Sequence, residues 1–132
     1  SVENFLNYVE EEFYTNTIFH RVIEGFVIQS GGYTAEFDMK ETKPEIVNES
    51  GNGLSNRRMT LGMARSNEPH TASSQFYINL VDNFSWIQCP PDGVILFLER
   101  LLVGLKLLMQ LAKVQHKPFK ISKMFLSHPL LF

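Results

Sequence analysis

The chain has 132 residues, of which 44% are hydrophobic and 20% charged, as expected for one soluble globular domain with a usable core. Its formal net charge of -2 argues against a nucleic-acid partner or an anionic membrane surface, because phosphate binding needs a clustered basic face. The single cysteine, Cys89, excludes an internal disulfide and a cysteine-based metal site, and the four histidines lack metal-ligand spacing. We therefore expect neither a metal nor a cofactor.

The first residues predict a helix. Apolar residues recur at helical spacing from Val2 to Val9, so we expect an amphipathic helix over about residues 2–12, with Ser1 at its start. The segment has no initiator methionine and neither the basic nor the apolar part of a signal peptide. Because domains of this kind rarely begin directly on a helix, we expect the sequence to start inside a longer domain.

Short strands follow the helix. Residues 18–23 and 26–29 are apolar runs separated by Glu24-Gly25, which predicts a hairpin, and a Ser-Gly-Gly sequence ends the second run. Residues 33–56 contain several turn markers and predict a long loop with one short helical or strand segment.

Two further strands are predicted at residues 60–64 and 75–81, on either side of a polar loop over 65–73. Short strands joined by glycine and asparagine turns are typical of an antiparallel barrel or sandwich.

The last third of the chain has a different pattern. From Val94 to Met109, leucines at helical spacing predict an amphipathic helix. Three charged residues interrupt this segment, whereas a membrane span needs about 20 mainly apolar residues. We therefore expect no membrane partner: the interrupting residues are Glu99, Arg100 and Lys106.

Several segments resemble the cyclophilin family of peptidyl-prolyl cis/trans isomerases. They are residues 13–23, residues 25–32, the pair 48–49 together with 52–56, and residues 63–65 followed by 74–79, in the order and at the spacing of that family. The resemblance covers about residues 1–83 and is closest to the single-domain bacterial branch. It implies a single domain over 1–132 with a mainly β fold, an antiparallel barrel capped by helices. We expect this barrel to be incomplete at the N-terminus and helix-prone in the last third.

The resemblance also implies a catalytic and substrate-binding site. Arg21 matches the catalytic arginine. The positions that match substrate-binding residues are Phe26, Val27, Gln29, Ala64, Arg65, Gln75 and Tyr77. Three of them differ from common family residues: Val27 stands where methionine is frequent, Arg65 where other branches have asparagine, and Tyr77 where phenylalanine is usual. Taken singly, each residue has an ordinary explanation as a core aromatic or a solvated polar side chain, and only their joint occurrence favours a site.

The family pattern is lost after residue 83. If the codons of residues 94–103 are read one nucleotide earlier, suitable codon choices give G-Y-S-V-F-G-E-V-I-G, which is similar to a family strand. The same shift converts residues 108–111 to V-D-A-I and residues 122–125 to F-K-D-V. We therefore expect a frameshift between about residues 83 and 93. A coding sequence whose codons are incompatible with these shifted readings would contradict it.

The function implied by the resemblance is isomerisation of X-Pro bonds in peptides and unfolded proteins, which assists protein folding. We expect a cytoplasmic monomer, with cyclosporin-type molecules as further ligands. Two alternatives stay open at this point: a non-catalytic module that binds proline peptides, and an inactive truncated or frameshifted product.

Overall fold

The computed structural model describes residues 1–84 and the pair Ile95–Leu96. Helix α1 spans Val2–Glu10, and a short 3₁₀ helix spans Ser50–Asn52. The strands are β1 Arg21–Ile23, β2 Val27–Ser30, β3 Leu61–Met63, β4 Phe76–Asn79 and β5 Ile95–Leu96. They form one antiparallel sheet in the order β1-β2-β4-β3-β5.

Helix α1 begins as predicted but ends two residues early, after Glu10. The backbone N–H of Phe13 donates to the Tyr8 carbonyl and that of Glu12 donates to the Val9 carbonyl, with Glu12 at φ +54°. This is the Schellman pattern, in which a left-handed residue closes the last turn. The rings of Tyr8 and Phe13 lie 4.6 Å apart and supply its usual apolar contact. Sequence pattern does not predict this helix end, because Glu12 occupies the place where glycine is usual.

The predicted hairpin is confirmed, with β1 shorter than expected. Strands β1 and β2 pair from Arg21–Gln29 to Ile23–Val27, and the Phe26 N–H donates to the Ile23 carbonyl across the turn. Gly25 has φ +69°, a conformation that favours glycine. The backbone before β1 instead pairs with the segment after β2, through the bridge between Thr17 and Thr34.

The sheet has two chemically different faces. One face carries Ile28, Met63 and Ile78, which join Phe5 and Tyr8 of α1 in the buried core. Successive side chains of a strand point to opposite faces, so the residues between these core positions lie on the other face. The second face, which we call the site face, carries Arg21, Ile23, Val27, Gln29, Gly62, Tyr77 and Asn79.

An aromatic cluster joins the helix to the core face. The rings of Phe5 and Tyr14 meet the edge of Phe76 at 5.3 and 5.2 Å between centroids. The Tyr14 hydroxyl donates to the Ser74 carbonyl at 2.9 Å, and burial raises the pKa of this phenol. Edge-to-face pairs of this kind contribute about 0.5–1.5 kcal/mol beyond area burial. The contacts fix the helix against the sheet from behind the site face.

The prediction of a helix over residues 94–109 is wrong for the two residues of that segment that the structure describes. Ile95–Leu96 forms β5 and pairs antiparallel with Leu61 and Gly62 of β3. An exposed strand edge has unpaired N–H and C=O groups, and a neighbouring strand satisfies them. The other residues of that predicted helix lie outside the described residues, as do Trp86, Cys89 and, apart from Ile95–Leu96, the segments of the shifted reading.

The predicted antiparallel sheet with a helix is confirmed. Barrel closure is not seen among the described residues, since β1 and β5 form the two ends of the strand order. Across residues 1–84, no helix has the length and apolar character that crossing a membrane requires.

A pair of glycine substitutions tests the packing behind β2. Gly31 has φ +87°, and a Cβ there would lie 2.7 Å from the Ser74 carbonyl oxygen and 2.9 Å from Tyr14 Cε1. Gly25 has a similar φ of +69° but open space around it. We expect Gly25→Ala to lower the free energy of unfolding by about 1–2 kcal/mol, from backbone strain alone. Gly31→Ala should cost about 2–5 kcal/mol, because overpacking adds to the strain. Denaturant unfolding measures both, and equal losses would contradict the packing described here.

A second prediction concerns His20, whose ring lies 4.7 Å from that of Tyr33. Burial, and secondarily the charge of Arg21, lower its pKa from the ordinary value of 6.5. The unfolded chain therefore binds this proton more readily than the folded one. The resulting stability is present above about pH 6.5 and is lost as the pH falls through the folded pKa. Between pH 7 and 5.5 the thermal midpoint should fall more in the native chain than in His20→Phe, which keeps a ring. Parallel profiles would contradict this.

Candidate functional site

The centre of the site face is a row of four residues across neighbouring strands. Arg21 of β1 pairs with Gln29 of β2, Gln29 pairs with Tyr77 of β4, and Tyr77 pairs with Gly62 of β3. Directly opposed residues place their side chains on one face, about 4.5–5.5 Å apart at Cβ. The register alone therefore brings a cation, an amide and an aromatic ring together.

A chain of side-chain hydrogen bonds begins in this row and continues to Gln75, which precedes β4. The Arg21 guanidinium donates from Nη1 to Gln29 Oε1 at 3.1 Å, and Gln29 donates from Nε2 to Gln75 Oε1 at 2.8 Å. Arg21 is exposed, whereas both glutamines are half-buried. An arginine has five N–H donors and this bond uses one of them. The chain thus orients the guanidinium and leaves it N–H groups that could reach a ligand.

Gln75 is held from two sides. A Cβ at Gly32 would lie 2.7 Å from Gln75 Nε2, so the lack of a side chain at residue 32 makes room for this amide. The Ala64 N–H donates to the Gln75 carbonyl at 2.8 Å. Ala64 is thereby fixed beside Gln75 at the end of β3. The structure brings these two predicted residues together.

Tyr77 is the most enclosed polar side chain of the row. It is 4% exposed, and its hydroxyl donates to Asn56 Oδ1 at 3.0 Å. Its ring covers the Cα of Gly62 so closely that a Cβ at that position would overlap the ring. The hydroxyl that distinguishes Tyr77 from the usual phenylalanine is therefore turned toward an internal partner.

Phe26 and Val27 lie where the hairpin turn enters β2. Phe26 is half-buried, and its carbonyl accepts the Leu80 N–H at 2.8 Å, which ties the turn to the end of β4. Val27 pairs with Asn79 and is 0% exposed. The described structure offers no open Val27 surface to a ligand, and its role as a pocket wall stays a prediction.

Arg65 follows β3 directly. Its Nη1 donates to the carbonyls of Ser66 at 2.7 Å and of Asn67 at 3.2 Å. The guanidinium thus binds its own loop and stabilises the backbone there. The expected contribution of residue 65 to a site is through its main chain, and these contacts are compatible with that role.

The chemistry of this arrangement is recognition and orientation. The eight predicted residues supply two guanidinium groups, of which that of Arg21 is exposed and that of Arg65 binds its own loop, together with two linked amides and aromatic and aliphatic surface. No carboxylate, thiol or imidazole is among them. Such a set can donate to a peptide amide and hold an apolar ring, and it has no nucleophile paired with a base. Across residues 1–84, no group of three or more His, Cys, Asp or Glu side chains is placed to hold a metal ion.

Sequence reasoning missed the buried asparagines beside the site. Asn56, Asn79 and Asn83 are all buried, and Asn79 lies within β4. Asparagine is depleted in strands, so an asparagine directly after Phe-Tyr-Ile was a usable signal of a buried polar network. Gly62 was also missed, and only the position of the Tyr77 ring reveals its role.

Comparisons with known proteins identify the family of the chain. Residues 1–124 match the sequence model of the family described as cyclophilin type peptidyl-prolyl cis-trans isomerase/CLD. The chain therefore belongs to the cyclophilin-type peptidyl-prolyl cis-trans isomerase family. This match extends beyond residue 83, where we expected the resemblance to end.

Two bacterial relatives show how much of the chain is shared. The chain is 58% identical over 83 residues to peptidyl-prolyl cis-trans isomerase B of Escherichia coli (strain K12), which covers 63% of this chain and 51% of that protein. It is 52% identical over 83 residues to peptidyl-prolyl cis-trans isomerase A of Dickeya dadantii (strain 3937), covering 63% and 44%. The chain thus spans about half the length of these curated relatives.

Solved structures show the same likeness. A crystal structure of a cyclophilin-type isomerase from Cryptosporidium parvum matches with a TM-score of 0.55 and 30% identity, over 71% of this chain and 59% of that one. The same isomerase crystallised in the presence of the dipeptide Ala-Pro matches with a TM-score of 0.55 and 29% identity, over 77% and 68%.

A substitution at Gly62 tests the site geometry. A Cβ at residue 62 would overlap the Tyr77 ring, so Gly62→Ala must displace that ring. We expect about 1–3 kcal/mol lower free energy of unfolding, the usual cost of overpacking. The Tyr77 ring resonances should also move in NMR spectra. Gly51→Ala is the matched control, because a Cβ there meets nothing within 4 Å. Unchanged Tyr77 resonances in Gly62→Ala would contradict the placement of this ring.

Proposed function

We propose that the chain catalyses cis/trans isomerisation of X-Pro peptide bonds in flexible peptides and unfolded proteins. The observation that carries the proposal is the chain of hydrogen bonds from Arg21 through Gln29 to Gln75, next to the Tyr77 ring, in a member of an isomerase family. A relative that was crystallised in the presence of Ala-Pro supports a proline-containing ligand.

The reaction needs an amide to twist. Resonance gives the prolyl C–N bond double-bond character and a barrier of about 18–20 kcal/mol. When the bond rotates, the nitrogen lone pair is no longer delocalised and becomes a hydrogen-bond acceptor. A guanidinium can donate to it and stays charged at any working pH. Arg21 is the exposed cation on the site face, so we assign it this role.

The amide chain adds orientation. Gln29 Oε1 accepts from Arg21 Nη1, which restricts the guanidinium before a substrate arrives. A donor that is already oriented costs less to align during the reaction. One charge-assisted hydrogen bond that forms only in the twisted state contributes about 1.5–3 kcal/mol, which is roughly ten- to hundredfold in rate. Substrate distortion and exclusion of water supply the rest.

The proline ring needs an apolar surface beside the cation. In our proposal Phe26, Val27 and Tyr77 form that surface, Gln29 and Gln75 face the substrate backbone, and the main chain at Ala64 and Arg65 lies along the peptide. Because Val27 and Tyr77 are buried in the described structure, a bound ring would contact them only after a local adjustment. A peptide complex of this chain would show that adjustment directly.

Several finer expectations belong to the same proposal. We infer that the sheet is part of an antiparallel barrel capped by helices, as the family resemblance implies. A cytoplasmic location, a monomeric state and binding of cyclosporin-type molecules stay predictions. The experiment below separates catalysis from its two alternatives, a binding module and an inactive product.

The decisive variant is Arg21→Lys, which keeps the charge and loses the planar fork of donors. We expect the turnover rate on an Ala-Pro-containing tetrapeptide to fall about 10- to 100-fold, because one transition-state hydrogen bond is lost. The peptide Kd should change by less than about threefold. NMR exchange spectroscopy measures turnover and a peptide titration measures Kd. Arg57→Ala is the control, since it removes an exposed arginine that has no part in the proposed site.

Peptide binding without turnover in the native chain would replace the isomerase by a binding module. A native chain that shows neither peptide binding nor turnover would be the inactive product.

A further inference from the structure

A buried chain of amides lies on the same side of the sheet as the site face, beside Tyr77. Asn83 donates from Nδ2 to Asn79 Oδ1 at 2.7 Å, and Asn79 donates from Nδ2 to Asn56 Oδ1 at 3.1 Å. The three asparagines are 7%, 0% and 3% exposed. Thr60 extends the network, because its Oγ1 accepts from Asn79 Nδ2 at 2.9 Å. Each buried amide therefore has partners inside the protein.

The two ends of this chain reach two residues of the predicted proline cup. At one end the Tyr77 hydroxyl donates to Asn56 Oδ1 at 3.0 Å. At the other end Asn83 Nδ2 donates to the Phe26 carbonyl at 3.2 Å. An unbroken series of hydrogen bonds thus connects an aromatic ring on β4 with the backbone of an aromatic residue at the hairpin turn.

The backbone keeps the chain in register. The Asn83 N–H donates to the Asn56 carbonyl at 2.7 Å, which joins the segment before β3 to the segment after β4. The Asn79 N–H donates to the Thr60 carbonyl at 2.9 Å. A displacement of one segment therefore moves the other, and with it the group that each presents to the site face.

We propose that Asn56, Asn79 and Asn83 are positioning residues that set Phe26 and Tyr77 relative to each other, so that the two sides of the proposed proline cup move together when a ring binds. The role of the cup rests on the proposed function, and the coupling of the two residues rests on the hydrogen bonds alone. Burying three amides in and around a strand is unfavourable unless all are satisfied. Apolar residues of similar size would pack there without joining Phe26 to Tyr77.

Tyr77→Phe tests the chain at one end, because it removes only the oxygen bound to Asn56 and keeps the ring. Asn83→Ala tests the other end. Thr17→Val is the matched structural control: Thr17 is 0% exposed, and its Oγ1 donates to the Tyr14 carbonyl at 2.7 Å among the core residues. Thr17→Val should lower the stability of the protein, as Tyr77→Phe and Asn83→Ala do, but it leaves the hydrogen bonds of the amide chain intact.

Two measurements on the full chain decide the proposal. In NMR spectra of Tyr77→Phe, the side-chain amide resonances of Asn79 and Asn83 and the ring resonances of Phe26 should shift, while Thr17→Val leaves them in place. The Kd of an Ala-Pro-containing tetrapeptide should weaken about three- to tenfold in Tyr77→Phe and in Asn83→Ala, the effect of one neutral hydrogen bond. The double variant should bind no more weakly than Asn83→Ala alone, because both changes interrupt one coupled chain.

Either of two results would overturn the proposal. One is a shift in Tyr77→Phe that stops at Asn56 and leaves Asn83 and Phe26 unchanged. The other is a set of Kd effects that simply add, or that Thr17→Val reproduces. If the native chain binds no proline peptide, the proposed function fails. The NMR shifts then decide the coupling between Phe26 and Tyr77 without reference to a ligand.

Discussion

Strand β4 is the element on which the rest of the molecule depends, because its alternating side chains serve two surfaces at once. Phe76 and Ile78 enter the core beneath α1, whereas Tyr77 and Asn79 face the site. A slip of one residue would exchange the two sets. The aromatic cluster around Phe76 resists such a slip, so core packing and the position of the site residues are enforced by the same pairings.

Much of the fold could be predicted from short-range patterns. The spacing of apolar residues predicts α1 and four strands, and Glu24-Gly25 marks the hairpin turn. The end of α1 could not be predicted, since Glu12 adopts a backbone conformation that local sequence disfavours and packing of Phe13 on Tyr8 enforces. The strand at Ile95–Leu96 was also missed. Its leucine-rich surroundings favour a helix locally, but the open edge of β3 provides backbone partners.

The candidate site could also be predicted only in part. The order of the sequence motifs predicted which residues belong to it, and the strand register explains why Arg21, Gln29 and Tyr77 lie side by side. The motifs did not predict the contacts that support these residues, namely the amide chain through Asn79 and the absence of a side chain at Gly62. Those features depend on contacts between residues far apart in sequence, and their signal is a polar or small residue in an unexpected setting. The roles in catalysis and substrate binding that the sequence implies for the eight residues stay predictions.

The contact between Tyr77 and Gly62 limits which substitutions this protein can accumulate during evolution. The phenol ring fills the volume that any other residue would need at position 62, so the two sites share a single space. A larger residue on β3 becomes acceptable only together with a smaller or differently oriented partner on β4. A substitution at residue 62 or at residue 77 is therefore tolerated only with a matching change at the other. The two positions should covary among close descendants of this sequence.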